Sequence, residues 1–322
     1  MIALALTGPT ASGKTALSIH IAESLGAEII SCDSMQIYRG MDIGTAKATA
    51  SERAAVPHHL IDFLSPLESY SAERYRADAL ACASELTERG VLPLFVGGTG
   101  LYIDTLMRAP VSAVPESDPG YRERMLALAA SEGGVDILWN RLNSVDPESA
   151  EKTHKNNVKR VIRALEIYDV TGVPKSQHDR ESLAHSADIS IGMITLDVHD
   201  RENLYRRVDT RVDMMIREGL LDEVRALYGA GLLPEHTTAS QAIGYKELIS
   251  YIEGRATLDE ATELLKLSSR RYAKRQLTWF RHEEAERVYI DTESGDMKSV
   301  TSLCDEALSA AKRLTDKLHT QG

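Results

Sequence analysis

The stretch that decides the fold is Ile2-Ala-Leu-Ala-Leu6, followed by Gly8-Pro-Thr-Ala-Ser-Gly13-Lys14-Thr15. The second part matches G-x-x-x-x-G-K-S/T, a loop whose backbone N–H groups and following helix N-terminus bind phosphate. It stands between a short apolar strand and a predicted helix over residues 14–25, as this chemistry requires. The sequence therefore predicts a phosphate site at Gly8, Thr10, Ala11, Ser12, Gly13, Lys14 and Thr15. Lys14 would supply a point charge, and the Thr15 hydroxyl would contact Mg²⁺.

Strands and helices alternate over the first hundred residues. Further strands are predicted at 28–31 and 91–96, with a helix over 71–89 between them. Strands that alternate with helices indicate a parallel sheet with right-handed crossovers. We therefore expect an α/β fold, a parallel sheet of the P-loop NTPase type flanked by helices.

The pattern changes after residue 108. Three prolines, Pro110, Pro115 and Pro119, suggest a linker, and residues 118–168 read as helical throughout. A strand returns at 189–196, and helices are predicted at 201–218, 220–228, 242–253 and 257–281, with no further strand. We therefore expect a catalytic core of residues 1–112 and 186–322, interrupted by an all-helical domain at 113–185.

Composition excludes several classes of protein. The 322 residues are 43% apolar and 26% charged, which is typical of a globular chain. There is no run of 18 apolar residues for a membrane span and no signal peptide pattern. Three scattered cysteines, Cys32, Cys82 and Cys304, favour a reducing compartment, so we expect a cytoplasmic protein.

Basic residues are concentrated in two segments although the net charge is −11. Residues 151–166 hold five Lys or Arg against two Glu, and residues 266–282 hold six Lys or Arg and no acid. Such segregation can form a basic surface on an acidic protein. On charge alone, solvated helix faces are the commoner explanation.

Asp33 follows the second predicted strand. Because the carboxyl ends of parallel strands line the ligand crevice, we expect Asp33 to face the phosphate loop as a metal ligand or a base. A turn aspartate is the alternative. The strand at 91–96 ends in Gly97-Gly98-Thr99, where an ATPase or kinase usually has an aspartate for Mg²⁺. Ordinary ATP hydrolysis is therefore disfavoured.

An ordered set of segments resembles one family. The segments are Asp33-Ser-Met-Gln36, Tyr38-Arg-Gly-Met-Asp-Ile-Gly-Thr-Ala-Lys47, Pro57-His-His-Leu-Ile-Asp62, Gly97-Gly-Thr-Gly-Leu-Tyr102, Asn156-Asn157, Arg160-Val-Ile-Arg163-Ala-Leu-Glu166, Arg217-Glu-Gly-Leu-x-x-Glu-Val224, Gln241-Ala-Ile-Gly-Tyr-Lys246 and Lys274-Arg-Gln-Leu-Thr-Trp-Phe-Arg281. With the phosphate loop, they resemble the bacterial tRNA dimethylallyltransferases, or tRNA isopentenyltransferases, over residues 3–290.

The resemblance implies a reaction and its partners. A dimethylallyl group would pass from dimethylallyl diphosphate to N6 of adenosine 37 in the anticodon loop of tRNAs that read codons beginning with U. Diphosphate would leave with the help of Mg²⁺. The loop alone would also suit ATP, but we expect its phosphate to belong to the prenyl donor. No membrane and no obligate protein partner is implied.

The resemblance also implies residue roles. Asp33 would accept the proton of the adenine amine, while Lys14, Thr15 and Arg211 would act on the diphosphate. The spacing of Arg207 and Arg211 alone is more typical of a surface salt-bridge arginine. The tRNA contacts would come from Asp33, Ser34, Met35, Gln36 and Thr99 at the flipped base, Arg122, Arg160 and Arg163 in the helical domain, and Gln241, Lys246 and Lys274 elsewhere. Lys266, Arg270 and Lys274, at i, i+4 and i+8, would form a basic stripe for phosphates.

Three other functions remain open at this stage. A small-molecule kinase would share the loop, the sheet and Mg²⁺, and a non-enzymatic RNA-binding module would use the basic segments alone. A prenyl transferase that acts on free AMP is a nearer alternative. The helical insertion and the basic C-terminal helix favour a tRNA acceptor.

Overall fold

The computed structural model describes residues 1–108, 120–184 and 188–321. The strands in those ranges are β1 Ile2–Thr7, β2 Ala27–Ser31, β3 His58–His59, β4 Leu92–Gly97, β5 Ser190–Asp197 and β6 Glu286–Tyr289. The helices up to the end of the second range are α1 Lys14–Leu25, α2 Ala50–Ala55, α3 Ala72–Glu88, α4 Gly100–Met107, α5 Tyr121–Ala130, α6 Gly134–Val145, α7 Pro147–Lys152, α8 Val158–Thr171 and α9 Lys175–Ala184. The later helices are α10 Arg201–Arg217, α11 Leu220–Gly229, α12 Tyr245–Ile252, α13 Leu258–Phe280 and α14 Val300–Gln321.

The strands of the described chain form one parallel sheet in the order β3-β2-β4-β1-β5-β6. The expected α/β class is thereby confirmed. Strand β1 lies in the interior, where Leu4 is opposite Leu94 on one side and Gly192 on the other. Strands β1, β2 and β4 all run the same way, so the loops that follow them meet at one edge of the sheet. This edge carries the phosphate loop, the Asp33 turn and the Gly97–Thr99 turn.

Helices cover both faces of the sheet because side chains alternate along each strand. Leu4 and Leu6 of β1 pack in a cluster with residues of α1, α13 and α14. Ala3 and Ala5 of the same strand pack in another cluster, with residues of α3 and α4. A third cluster joins α10, α11, α12 and α13 to the segment after β2.

Two strands were missed in the sequence. The expectation of a purely helical C-terminal part was wrong, because β6 pairs with β5 from Glu286↔Ile194 to Tyr289↔Asp197. Strand β3 has only two residues, both histidines, and pairs with β2. Both strands are short, polar and at a sheet edge, so neither has the apolar alternation that identifies a strand in a sequence.

The contacts of the chain define two compact units, one of Met1–Met107 with Ile189–Gly322 and the other of Arg108–Asp188. The second unit has helices α5–α9 and its own core, which includes Leu138, Leu142 and Leu165. The expected limits of the helical domain, 113 and 185, and the prolines at 110, 115 and 119 lie outside the described residues. Across the described ranges, no helix combines the length and apolar character needed to cross a membrane.

Candidate active site

The phosphate loop depends on two glycines with left-handed backbone angles. Gly8 has φ 141°, and a Cβ there would lie 2.9 Å from both Cβ and the carbonyl oxygen of Leu196. Gly13 has φ 99° and precedes α1 as its N-cap. The first N–H groups of a helix have no partner within that helix, so the loop leaves a donor-rich end of α1. The local sequence supplies the two glycines and the helix start that this anion site requires.

Several loop groups already have partners inside the protein. The Ser12 hydroxyl donates to the Pro9 carbonyl at 2.8 Å, and the Thr10 N–H donates to Oε1 of Gln276 at 2.8 Å. Lys14 Nζ donates to the carbonyls of Gly8 and Pro9 at 2.9 and 2.7 Å. The predicted phosphate contacts of Thr10 and Ser12 stay a prediction. The Thr10 N–H and the Ser12 hydroxyl are committed to holding the loop.

Lys14, Arg211 and Asp33 share one electrostatic environment. Burial, together with the charge of Arg211 and partly offset by Asp33, lowers the pKa of Lys14 to about 7. Burial also lowers the pKa of Arg211, opposed by Asp33 and Glu218. Two cations that destabilise each other's charge provide a strong site for an anion. The structure thus brings Arg211 to the phosphate loop and not to an ordinary surface salt bridge.

Asp33 fits both interpretations made from the sequence, a turn aspartate and a carboxylate that faces the phosphate loop. Its Oδ1 accepts the N–H of Met35 at 2.9 Å and that of Gln36 at 3.4 Å, as in a turn aspartate. Asp33 also lines the cavity beside the phosphate loop. One carboxylate therefore holds the turn and faces the space where a substrate would lie.

The cavity at this edge has a volume of about 450 Å³. Thr10, Ala11, Asp33, Ser34 and Met35 contribute to its lining from the sheet side. Helix α10 and the segments after it supply further polar and charged groups, namely Arg211, Gln241, Lys246, Arg271, Tyr272 and Arg275. Apolar side chains complete the wall, namely Val208, Val212, Met215, Leu220 and Leu265. An anion site next to an apolar wall suits a substrate with a charged head and a short hydrocarbon tail.

Thr99 lies against the Asp33 turn. The Thr99 hydroxyl accepts the Ser34 N–H at 3.1 Å. The two turns approach so closely that a Cβ on Gly97 would lie 2.0 Å from the carbonyl oxygen of Cys32. The structure therefore brings together Asp33, Ser34 and Thr99 as the sequence predicted.

Gln36 has partners of its own. Its Nε2 donates to the carbonyls of Thr45 and Ala46 at 3.2 and 3.3 Å, and its Oε1 accepts from the Ser31 hydroxyl at 3.3 Å. Donation from Nε2 to a base would require one of these bonds to break, whereas Oε1 has a second lone pair that can accept. Gln36 thus supports the 41–47 loop, and its role toward a base stays a prediction.

Glu223 is a site-building residue that the sequence reading missed. Its carboxylate accepts the N–H groups of Asp42, Ile43 and Gly44 at 2.9, 2.7 and 3.1 Å, and the hydroxyl of Tyr245 at 2.6 Å. This fixes the 42–44 backbone, of which Gly44 lines the cavity. The signal in the sequence is that Glu223 is one of the residues specified in the 217–224 segment of the family resemblance, although that segment assigns it no role.

The predicted basic stripe on α13 is only partly correct. Lys266 pairs with Asp213 at 2.9 Å and with Glu263 at 3.0 Å, and Arg270 pairs with Asp209 at 2.6 Å. The pairs with Asp213 and Asp209 attach α13 to α10, so the two cations neutralise protein carboxylates. Lys274 is exposed. Helical spacing placed the three residues correctly on one face but could not identify the helix that this face meets.

In the helical unit, a buried carboxylate holds two of the three arginines predicted to contact tRNA. Glu166 accepts two bonds from Arg122, at 2.8 and 2.9 Å, and one from Arg163 at 2.7 Å. The side chain of Glu166 is 0% exposed, whereas that of Arg122 is 59% exposed. Arg160 is exposed on the same helix as Arg163. Arg122 and Arg163 are therefore structural ion-pair partners, and Arg160 is the simpler candidate for an RNA contact.

A phosphate loop, an acidic turn and an apolar wall at the carboxyl edge of a parallel sheet define an α/β enzyme that acts on a phosphorylated substrate. A model of the IPP transferase family matches residues 36–283, and one of isopentenyl transferases matches residues 1–62. The tRNA dimethylallyltransferase of Bacillus subtilis (strain 168) is 50% identical over 281 residues, covering 86% of this chain and 87% of that protein. That of Geobacillus kaustophilus is 48% identical over 293 residues, covering 90% of each.

Solved structures agree with these relatives. The tRNA isopentenylpyrophosphate transferase of Bacillus halodurans is 41% identical with a TM-score of 0.71, covering 99% of this chain and 98% of that one. A eukaryotic dimethylallyltransferase acting on tRNA is 29% identical with a TM-score of 0.76, covering 89% and 73%. The chain belongs to the IPP transferase family. Its sequence resemblance to the tRNA dimethylallyltransferases is confirmed.

Proposed function

We propose that this member of the family transfers a dimethylallyl group from dimethylallyl diphosphate to N6 of adenosine 37 in tRNAs that read codons beginning with U. The observation that carries the proposal is the cavity in which Arg211 and Asp33, both coupled electrostatically to Lys14 of the phosphate loop, meet an apolar wall. Phosphoryl transfer by a kinase does not require an apolar wall beside the phosphate loop. A passive RNA-binding surface would have no use for the buried cations.

The donor would bind with its diphosphate at the loop. The free N–H groups at the start of α1, together with Lys14 and Arg211, would hold the phosphate oxygens. Val208, Val212 and Met215 would cover the hydrocarbon and keep water away from the allylic carbon. This arrangement favours transfer to an amine over hydrolysis.

A magnesium ion fits the donor set at this loop. Thr15, whose hydroxyl would be the protein ligand, is in the first turn of α1. No group of three His, Cys, Asp or Glu side chains able to hold a metal occurs among the described residues. Mg²⁺ would therefore be bound mainly by diphosphate oxygens and water, as is usual for this ion. When bound, it would neutralise charge that develops on the leaving diphosphate.

The reaction needs a proton acceptor because the lone pair of the adenine amine is delocalised into the ring. As the N6–carbon bond forms and the carbon–oxygen bond to diphosphate breaks, one amine proton must leave. Asp33 would accept that proton, and Lys14 and Arg211 would stabilise the charge gained by diphosphate. The products are the prenylated adenosine, diphosphate and a proton.

The acceptor base would enter from the side of the Asp33 turn. Chemistry on a base requires that it be taken out of the stack and bound through its polar edge. Ser34 and Thr99 lie beside Asp33 and would supply such groups, with Gln241 and Lys246 farther along the cavity lining. Arg160 and Lys274 would contact phosphates. A tRNA acceptor also implies that the enzyme works in the cytoplasm.

The test is a transfer assay with purified protein, Mg²⁺ and radiolabelled dimethylallyl diphosphate. Three acceptors are compared: an unmodified anticodon stem-loop with adenosines at positions 36 to 38, the same stem-loop with guanosine at 37, and AMP. Label in the first alone is the expected result and also shows that no protein partner is required. Label in AMP would indicate a free-nucleotide prenyl transferase. No label in any acceptor, with ATP consumed in a parallel small-molecule panel, would favour a kinase.

A further inference from the structure

Gln276 of α13 links two loops of the active site through one buried amide. Its Oε1 accepts the N–H of Thr10 at 2.8 Å, and its Nε2 donates to the carbonyl of Gly98 at 3.0 Å. The residue is 5% exposed. Thr10 belongs to the phosphate loop, and Gly98 precedes Thr99 in the turn after β4. A planar amide has one acceptor and one donor at a fixed separation, so it sets the spacing of these two loops.

The neighbouring backbone is shaped to admit this amide. A Cβ on Gly98 would lie 2.1 Å from Nε2 of Gln276, so any larger residue would displace it. Three residues along α13, Trp279 covers Gly100, where a Cβ would lie 2.5 Å from the indole ring. The Trp279 Nε1 also donates to Asp104 at 3.2 Å. Helix α13 is thus docked on the turn after β4 at two successive positions, and Gln276 extends that docking to the phosphate loop.

The two loops belong to opposite halves of the reaction proposed above. The phosphate loop would hold the donor, whereas Thr99 accepts the Ser34 N–H beside Asp33 on the acceptor side. Thr10 and Gly98 do not form a hydrogen bond with each other. Gln276 supplies that connection. A change of about 1 Å between reacting groups can lower a rate by about 10².

We propose that Gln276 is a positioning residue for group transfer, which holds the phosphate loop and the Thr99 turn at the separation needed for attack. This inference rests on the proposed function. Loss of the Gln276 amide lowers kcat for transfer. It leaves the KM of each substrate nearly unchanged, because the groups that bind the donor and those that bind the acceptor remain. A merely structural role would instead lower the fraction of folded enzyme without altering the kinetics of the folded remainder.

The decisive variant is Gln276→Glu, which has the same shape. A carboxylate can accept the Thr10 N–H, but only the protonated acid can also donate to the Gly98 carbonyl. Burial beside a carbonyl raises the pKa of such a carboxyl group. We expect the kcat of Gln276→Glu to be about 10- to 100-fold below that of wild type at pH 8. As the pH is lowered toward 5.5, the two values should approach each other. Each KM should stay within about threefold of wild type.

Two further variants provide the comparison. Gln276→Leu removes both hydrogen bonds, so its kcat should be low at every pH with no recovery. Thr278→Ala changes an exposed side chain of the same helix, which bonds only to the Lys274 carbonyl, and should match wild type. Titration of binding-competent sites with diphosphate corrects all rates for misfolded protein. A pH-independent ratio for Gln276→Glu, or a loss carried entirely by KM or by the folded fraction, would overturn the proposal.

An NMR measurement separates this inference from the proposed reaction. The amide proton of Thr10 should exchange with solvent at least about tenfold faster in Gln276→Leu than in wild type, since it loses its acceptor. Unchanged exchange would refute the hydrogen bond even if no prenyl transfer occurred. Wild-type protein that protects Thr10 but transfers no label would instead refute the proposed function.

Discussion

Asp33 is the residue at which local structure and chemistry overlap most directly. Its Oδ1 supports the turn after β2 through the Met35 N–H, and its side chain lines the cavity with Lys14 and Arg211 nearby. An asparagine keeps the accepting oxygen for the turn but cannot act as a base at neutral pH. The substitution therefore separates the two roles.

We expect Asp33→Asn to lower single-turnover transfer by about 10² to 10⁴ and to leave tRNA affinity nearly intact, since only proton acceptance is lost. Rapid-quench kinetics and filter binding measure the two quantities. Asp200→Asn is the matched control, because Asp200 caps α10 through the Glu202 N–H in a similar way. Near-wild-type turnover of Asp33→Asn would remove Asp33 as the base.

Lys14 should make diphosphate binding depend on pH. Burial and Arg211 lower its pKa to about 7 in the free enzyme, and only the protonated amine attracts an anion. As the pH rises above 7, the free enzyme loses this charge, so the Kd for diphosphate should rise by up to about tenfold per unit. Below pH 7 the affinity should level off.

Calorimetry from pH 6 to 9 measures this effect. Lys14→Arg is the control, because a guanidinium stays charged over the whole range. Its profile contains only the ionisation of diphosphate itself. Parallel profiles for wild type and Lys14→Arg would show that Lys14 does not titrate in this range.

Among the secondary-structure elements, α14 covers the central sheet. The sequence after residue 292 did not indicate this role. Leu303, Ala307, Ala310 and Ala311 are buried in the cluster that contains Leu4 of β1. The small residues allow the helix to approach the sheet closely. Gly192 of β5 serves the same purpose, since a Cβ there would lie 3.0 Å from Leu314 and 3.2 Å from Leu318.

Leu303→Ala should lower the free energy of unfolding by about 2–5 kcal/mol, because it leaves a cavity in this cluster. Urea denaturation followed by circular dichroism measures the change. Lys312→Ala, on an exposed face of the same helix, should stay within about 0.5 kcal/mol of wild type. Equal midpoints for the two variants would mean that α14 does not contribute to the core.

At the scale of the whole molecule, a chain of net charge −11 would have to bind a polyanion through local basic surface. The structure removes Lys266 and Arg270 from that surface, since both are paired with carboxylates of α10. Arg122 and Arg163 are attached to Glu166. Reversing Arg163 would therefore disturb the fold of the helical unit as well as its charge.

Arg160→Glu is the cleaner change, because Arg160 is exposed. It should weaken tRNA binding and reduce the slope of log K against log salt by about 1, since a phosphate contact is lost. Lys312→Glu makes the same change in net charge in the other unit and should have little effect. Equal slopes for wild type and Arg160→Glu would locate the RNA contact elsewhere.

The parts of this protein that depend on near neighbours could be predicted from the sequence. The phosphate loop needs two glycines with positive φ and a helix start within eight residues, and all of these are contiguous from Gly8 to Thr15. The strands β1, β2, β4 and β5 were equally readable, because their apolar runs are local and lie between helix and turn signals. The direction of these strands then placed Asp33 and Thr99 at the same edge.

Contacts between groups that are distant in the sequence become visible in the folded chain. Gln276 contacts Thr10 across 266 positions. Helical spacing puts it on the same face as the buried Ala273, Leu277 and Phe280, but it does not identify Thr10 as the partner. The same holds for Glu223 with the 42–44 backbone and for Arg270 with Asp209, where helical periodicity defines a face but not its partner. Edge strands β3 and β6 exist because a neighbouring strand offers unpaired backbone groups. Such pairings are set by the packing of the whole chain, which short-range spacing does not encode.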